Sequence, residues 1–172
     1  NGTAAYQYTV SGGRLKISRD RGKTFERIGT LKDSLAGEIA INPSDPRIIM
    51  AGSRSGRCCL SRDAGATWSA TPGPTGQVIA FHFDRTRHGR SMVAATDRGI
   101  WRSDDDGQTW AEKTQGLPWK QTQAFAGGSD AAKKLVVLYC AIRSRDEGGE
   151  FRGGLYRSRD RGETWESAMG QG

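Results

Sequence analysis

Proton transfer, stacking against a flat ligand and ion pairing are the chemistries this sequence can support, and few residues offer them. The acids available for proton transfer are Asp33, Glu38, Asp97, Asp146, Glu147 and Glu150. Their spacing along the chain does not pair any two of them. Asp146, Glu147 and Glu150 lie with Arg145 and Arg152 in one charged, glycine-containing segment, residues 143–153. Trp119 and Lys120 stand together in the turn-like run Gly116-Leu117-Pro118-Trp119-Lys120-Gln121. The apolar face of a Trp complements the C–H face of a pyranose, and the same ring also plugs gaps between packed sheets, which is its commoner use.

Other groupings lack the pattern their chemistry requires. His82 and His88 flank Asp84, but no Ser or Cys signature completes a catalytic triad. Cys58, Cys59 and Cys140 cannot all pair within one chain, and with the two histidines they give no metal-ligand spacing. Cys58 and Cys59 are adjacent, so on a strand they point to opposite faces, and Cys140 sits in the apolar run 135–140 as a small core residue. Asp104-Asp105-Asp106-Gly107 suggests a calcium loop, yet that template needs acids where Arg102 and Lys113 stand. No metal and no cofactor is expected, and the catalytic residues are left unassigned.

What must position these residues is a repeat. Four segments align without gaps: Ser18-Arg19-Asp20-Arg21-Gly22-Lys23-Thr24-Phe25, Ser61-Arg62-Asp63-Ala64-Gly65-Ala66-Thr67-Trp68, Ser103-Asp104-Asp105-Asp106-Gly107-Gln108-Thr109-Trp110 and Ser158-Arg159-Asp160-Arg161-Gly162-Glu163-Thr164-Trp165. Each shared residue type has a task in a tight turn between strands. The Asp carboxylate accepts backbone N–H groups in an Asx-type turn. Gly supplies positive φ, Thr restarts the extended chain, the aromatic ring packs back between sheets, and the Ser hydroxyl ties the two sides together. Nothing in these tasks requires a ligand.

Around each turn the same strand order repeats, with a short run opened by Gly before it and a more apolar run before that. Three units carry a further opening strand, at 37–41, 77–83 and 122–126. After the turn a polar strand runs into Gly29, Pro72-Gly73 or Gly116-Leu117-Pro118. Four strands in roughly 42 residues is the size of a propeller blade. The expectation is an all-β propeller segment of four-stranded antiparallel blades: 1–29 (incomplete), 30–72, 73–116 and 117–172, with about fifteen strands. The repeated turn joins strands three and four, so it shares a face with the strand one–two loops. The opposite face carries the strand two–three loops and the crossings between blades. There the fourth unit is longer, with 143–153 where its neighbours have only 53–55 and 97–98. That insertion is read either as a functional loop or as a tolerated, solvated one.

The repeated motif resembles the Asp-box, or bacterial neuraminidase repeat, propellers. Asn42-Pro43-Ser44-Asp45-Pro46 before 48–52 is also similar to xyloglucan-hydrolysing glycosidases and sortilin-type receptors. The resemblance implies architecture more than activity, since the family includes sialidases, endoglucanases, sorting receptors and assembly factors. Sialidases carry an Arg-Ile-Pro signature, where this chain has only Arg47-Ile48-Ile49. Two readings follow: a scaffold or recognition module binding glycan or protein, or part of a glycoside hydrolase with acids on the face opposite the boxes. A third is an assembly factor that holds an acidic partner. A second copy or a further chain segment is expected to complete the ring, and a secreted or periplasmic location is expected.

Bulk composition narrows the partners. The formal charge is +7, from 26 basic and 19 acidic side chains. The arginines are scattered with no recognition motif, so no specific nucleic-acid role is expected. No apolar stretch is long enough to span a membrane.

Overall fold

The computed structural model describes residues 7–11, 14–29, 34–88 and 90–169. They form fifteen strands in four antiparallel sheets. The first sheet is β1 (Gln7–Ser11), β2 (Arg14–Ser18) and β3 (Glu26–Arg27). The second is β4 (Leu35–Ile41), β5 (Ile49–Ser53), β6 (Arg57–Ser61) and β7 (Ser69–Thr75). The third is β8 (Val78–Phe83), β9 (Met92–Thr96), β10 (Gly99–Ser103) and β11 (Ala111–Glu112). The fourth is β12 (Thr122–Asp130), β13 (Leu135–Glu147), β14 (Glu150–Ser158) and β15 (Glu166–Ser167). Each sheet pairs its strands in sequence order, so every sheet is an up-and-down blade.

Three elements differ from the expectation. The opening strand of blade four runs past 126 to Asp130. The fourth strand of blade two runs through Pro72 and Gly73 to Thr75 instead of stopping there. The long segment of blade four is no loop: β13 and β14 extend as a hairpin to the pair Glu147 and Glu150. Gly148 and Gly149 both take positive φ, at 66° and 92°, the geometry of a two-residue hairpin turn. Register slips between Ile142 and Arg145, where the hairpin leaves the body of the blade.

The core lies between blades, because the two middle sheets bury both faces. Leu15, Leu35 and Ala51, with Ile28 and Trp68 against them, fill the first gap. Met50, Cys58, Leu60, Val78, Phe83 and Met92 fill the second. Val93, Ala95, Ile100, Val136, Leu138, Cys140, Ile142 and Trp165 fill the third. Alternation assigns neighbours to opposite gaps: Met50 faces blade three and Ala51 faces blade one. Strands β5 and β9 are therefore buried along their whole length, whereas β13 is buried only at every second residue through Ile142.

The box aromatic closes each gap backward onto the preceding blade. Trp165 Nε1 donates to the Lys113 carbonyl at 2.9 Å, and its backbone N–H donates to Gln115 at 2.9 Å. Gly116 has φ +92°, and a Cβ there would collide with the Trp165 carbonyl oxygen. Gly29 meets Gly65 and Trp68 in the same way, and Gly73 meets Trp110.

Candidate functional site

The repeated turns are closed rings of hydrogen bonds. In each, the Ser hydroxyl donates to the Asp Oδ1 at 2.8–2.9 Å and accepts the Gly N–H at 2.7–2.8 Å. The Asp carboxylate accepts the Thr N–H at 2.8–3.0 Å and the Thr hydroxyl at 2.5–2.6 Å. All four Gly residues have φ between 81° and 90°. The residue before each Gly, which the sequence did not flag, is also left-handed: Arg21, Ala64, Asp106 and Arg161 at 58–63°. The Thr hydroxyl donated to the carboxylate is the largest of several bonds that hold Asp20 and Asp105 at about 2. These Ser, Asp, Gly, Thr and aromatic side chains are occupied with one another and with the adjacent blade.

The box turns share their face with the strand one–two turns. Ala64 N–H donates to Arg47 and Asp106 N–H to Arg90. Those strand one–two turns are opened by Asn42, Asp84 and Asp130, whose carbonyl or carboxylate oxygens accept N–H groups two residues on at 2.7–3.0 Å. Asp84 is buried and pairs through Oδ2 with Arg161 Nε at 3.1 Å, pinning blade three to the box of blade four. Asp-Arg-Thr and Asn-Pro-Ser at strand ends are the sequence signals for these caps.

The opposite face gathers the strand two–three loops and the blade crossings, and all the sequence-nominated binding residues lie near it. Trp119 and Arg145 meet: the guanidinium carbon sits 5.2 Å from the indole centroid. Trp119 Nε1 donates to the Arg143 carbonyl at 2.7 Å, and the ring packs on the third core cluster. Lys120 is tied to Glu112 at 2.7 Å, away from the hairpin acids. Asp146 Oδ1 accepts the Gly149 N–H at 2.7 Å and so caps the hairpin turn. Arg152 bridges Glu150 at 3.1 Å and Glu147 at 4.0 Å. Phe151, which sequence reasoning passed over, stands 81% exposed on this hairpin.

The remaining acids are dispersed. Asp97 Oδ1 accepts the Gln77 N–H at 2.8 Å across the blade crossing, Glu38 is exposed on the inner strand of blade two, and Asp33 lies outside the described residues. His82 faces a cavity of about 350 Å³ beside Arg85 and Ser129, with Gly127 against its ring. Its buried Nε2 has no hydrogen-bond partner among the described residues, and burial lowers its pKa. Cys58, Cys59 and Cys140 are all buried, and burial pushes the Cys58 and Cys140 thiols up to about 12. Among the described residues no cluster of His, Cys, Asp and Glu could hold a metal ion. Among the described residues no helix is long and apolar enough to cross a membrane.

Antiparallel blades, each stitched by a Ser–Asp–Gly–Thr ring, with the last three closed onto the preceding blade by a Trp, define an Asp-box β-propeller. Residues 56–171 match the Sortilin-Vps10 family model, described as sortilin, neurotensin receptor 3, and the chain belongs to that family. It is 28% identical over 96% of its length to an oligoxyloglucan-reducing end-specific xyloglucanase of Emericella nidulans, of which it covers 22%. It is 27% identical over 92% of its length to xyloglucanase Xgh74A of Acetivibrio thermocellus, of which it covers 16%. The chain thus spans less than a quarter of these curated relatives. The crystal structure of an ancestral GH74 enzyme superimposes with TM-score 0.70 at 16% identity, covering 96% of this chain and 24% of that one. That likeness is one of fold.

Proposed function

We propose that the chain is a section of a glycoside-hydrolase propeller of the xyloglucanase type, whose strand two–three face contributes glucan-binding residues. The observation that carries this reading over a purely noncatalytic scaffold is alignment with xyloglucanases through more than nine-tenths of the chain. The β13–β14 hairpin is the part of that face best suited to a sugar. It offers the Phe151 ring, and Glu147 and Glu150 are held by Arg152 as hydrogen-bond acceptors for hydroxyls. Hydrolysis of a glycosidic bond needs two carboxylates set across it. Both hairpin acids share one guanidinium on one side, so we assign them to binding and assign no catalytic pair to this chain. A further blade of the same architecture, from a longer polypeptide or a second copy, lies against the outward side of blade four. A polysaccharide substrate fits a secreted or periplasmic location.

Calorimetric titration with xyloglucan oligosaccharides tests the reading, with manno-oligosaccharides as the comparison. Binding to the former alone is expected. Phe151→Ala is expected to weaken it about threefold to tenfold, since an aromatic contact is worth about 0.5–1.5 kcal/mol. Equal affinity for both sugars, or an unchanged Phe151→Ala, counts against a glucan site on the hairpin.

A further inference from the structure

We infer that the cleft between blades two and three, on the face opposite the boxes, is a second binding site, one that takes the carboxylates of an acidic peptide. The cleft has a volume of about 470 Å³ and is formed where β7 crosses to β8 between the two strand two–three loops. Arg54 and Arg57 line it from blade two, and Arg98 lines it from blade three. Among the described residues its one acid is Asp97, with Oδ1 engaged by the Gln77 N–H at 2.8 Å. Three guanidinium groups against one partly committed carboxylate leave the cleft net positive.

Four arginines near the box turns are each answered by an acid: Arg47 by Asp45 at 2.8 Å, Arg90 by Asp106 at 3.4 Å, Arg102 by Glu163 at 2.6 Å and Arg161 by Asp84 at 3.1 Å. Among the described residues neither Arg54 nor Arg98 has a carboxylate within ion-pair distance, and both are exposed. Among the described residues Arg57 Nε reaches only the Ser55 hydroxyl, at 3.3 Å. The floor is fixed by Gly76, which has φ +99°. A Cβ there would stand 2.9–3.0 Å from the Arg98 side chain, and closer still to the Asp97 carboxylate. Gly76 therefore lets Arg98 fold over the crossing and face the blade-two arginines.

A guanidinium presents a planar fork that matches carboxylate geometry in two parallel hydrogen bonds, so paired arginines across a cleft select carboxylates. Among the described residues the lining has no aromatic ring that would stack on a pyranose. The exposed Gln77 side-chain amide instead matches the C=O and N–H groups of a peptide backbone. These features favour a peptide over an acidic glycan, and they are independent of the glucan reading of the hairpin.

The test uses fluorescence anisotropy with a labelled peptide of alternating Glu and Ser, its Gln-for-Glu counterpart, and oligogalacturonate as competitor. The chain is expected to bind the acidic peptide and not the Gln peptide. Arg54→Gln with Arg98→Gln should weaken binding roughly tenfold or more, as expected for charge-assisted bonds. Arg47→Gln with Arg90→Gln removes the same formal charge from the box face and should change affinity less than about twofold at 0.15 M salt, where distant exposed charges are screened. Arg54→Lys with Arg98→Lys keeps the charge without the fork and should fall between the two, and thermal melts confirm that each variant folds. Equal losses from both Gln pairs would mean diffuse attraction and overturn the site. Binding of oligogalacturonate without the peptide would overturn the peptide assignment. Xyloglucan binding should be unaffected by the Arg54 and Arg98 changes, so the two sites fail or succeed separately.

Discussion

The Asp105 carboxylate accepts the Thr109 hydroxyl at 2.6 Å and the Thr109 N–H at 2.9 Å, bonds that are strongest while it is ionised. They pull its pKa to about 2, the Thr109 hydroxyl contributing most, and Asp20 is held at about 2 by the Thr24 hydroxyl in the same way. A folded-state pKa below the unfolded one gives stability that is complete above the unfolded value, about 4. It is lost as pH falls through the folded value, about 2. The melting temperature is therefore expected to hold from neutral pH to about 4 and then drop. Asp105→Asn should melt lower at neutral pH and show a shallower acid drop. A neutral-pH melt identical to the parent would mean that the ring does not depend on the charge. The Ser, Asp, Gly and Thr roles were legible because each demands one residue type. The left-handed residue before each Gly was not, because its side chain points outward and Arg, Ala and Asp are all accepted there.

At the level of strands and blades, the contacts that matter run between neighbours. Gly65 has φ +90°, and a Cβ on it would lie 2.8 Å from Ile28 Cδ1 and 3.2 Å from Leu15 Cδ2 of the preceding blade. Gly65→Ala combines backbone strain with a wedge in the first gap, and a loss of about 1–3 kcal/mol is expected in denaturant melts. Acidic-peptide binding at the cleft should survive in the fraction that folds. In blades two and three the first three strands were legible to within a residue or two from Gly-opened and apolar runs, whereas those of blade four run four or five residues longer. The brevity of the fourth strands was not legible. In β3, β11 and β15 only two residues pair, whereas β7 runs to seven although its box makes the same Thr N–H to Asp bond. The 143–153 hairpin was hidden for another reason. Its Gly148-Gly149 turn signal is flanked by charged residues instead of the alternating apolar ones that mark a half-buried strand pair. The pairing of Trp119 with Arg145 depends on that hairpin and so was equally hidden.

Across the whole molecule the two end blades differ from the middle ones. Trp165 is 4% exposed in its gap, while Phe25, the matching residue of blade one, is 43% exposed. On the outward side of blade four Leu135, Tyr139, Leu155 and Met169 are exposed, in contrast to the fully buried β5 and β9. Sequence already hinted at this, since the continuous apolar run 135–140 reads as a strand meant for burial on both faces. Seating the Phe25 side of one copy against the Leu155 side of another reproduces the internal gap. Light scattering at micromolar concentration is therefore expected to give a mass of about twice 18.7 kDa, through head-to-tail contact. Leu155→Lys should return it to one chain without lowering the content of β structure. A parent chain that stays at one copy would show that these faces need a blade of different sequence.

The backward reach of each box has a consequence for how the molecule is made. Trp68, Trp110 and Trp165 each settle against a strand that precedes them in the chain, and the Arg161–Asp84 pin points the same way. As a polypeptide leaves the ribosome, every seam therefore becomes complete once its later blade has emerged, using only partners already synthesised. Assembly of this arc can proceed as vectorial zippering in which each new blade locks the one before it and shields its apolar side soon after it appears.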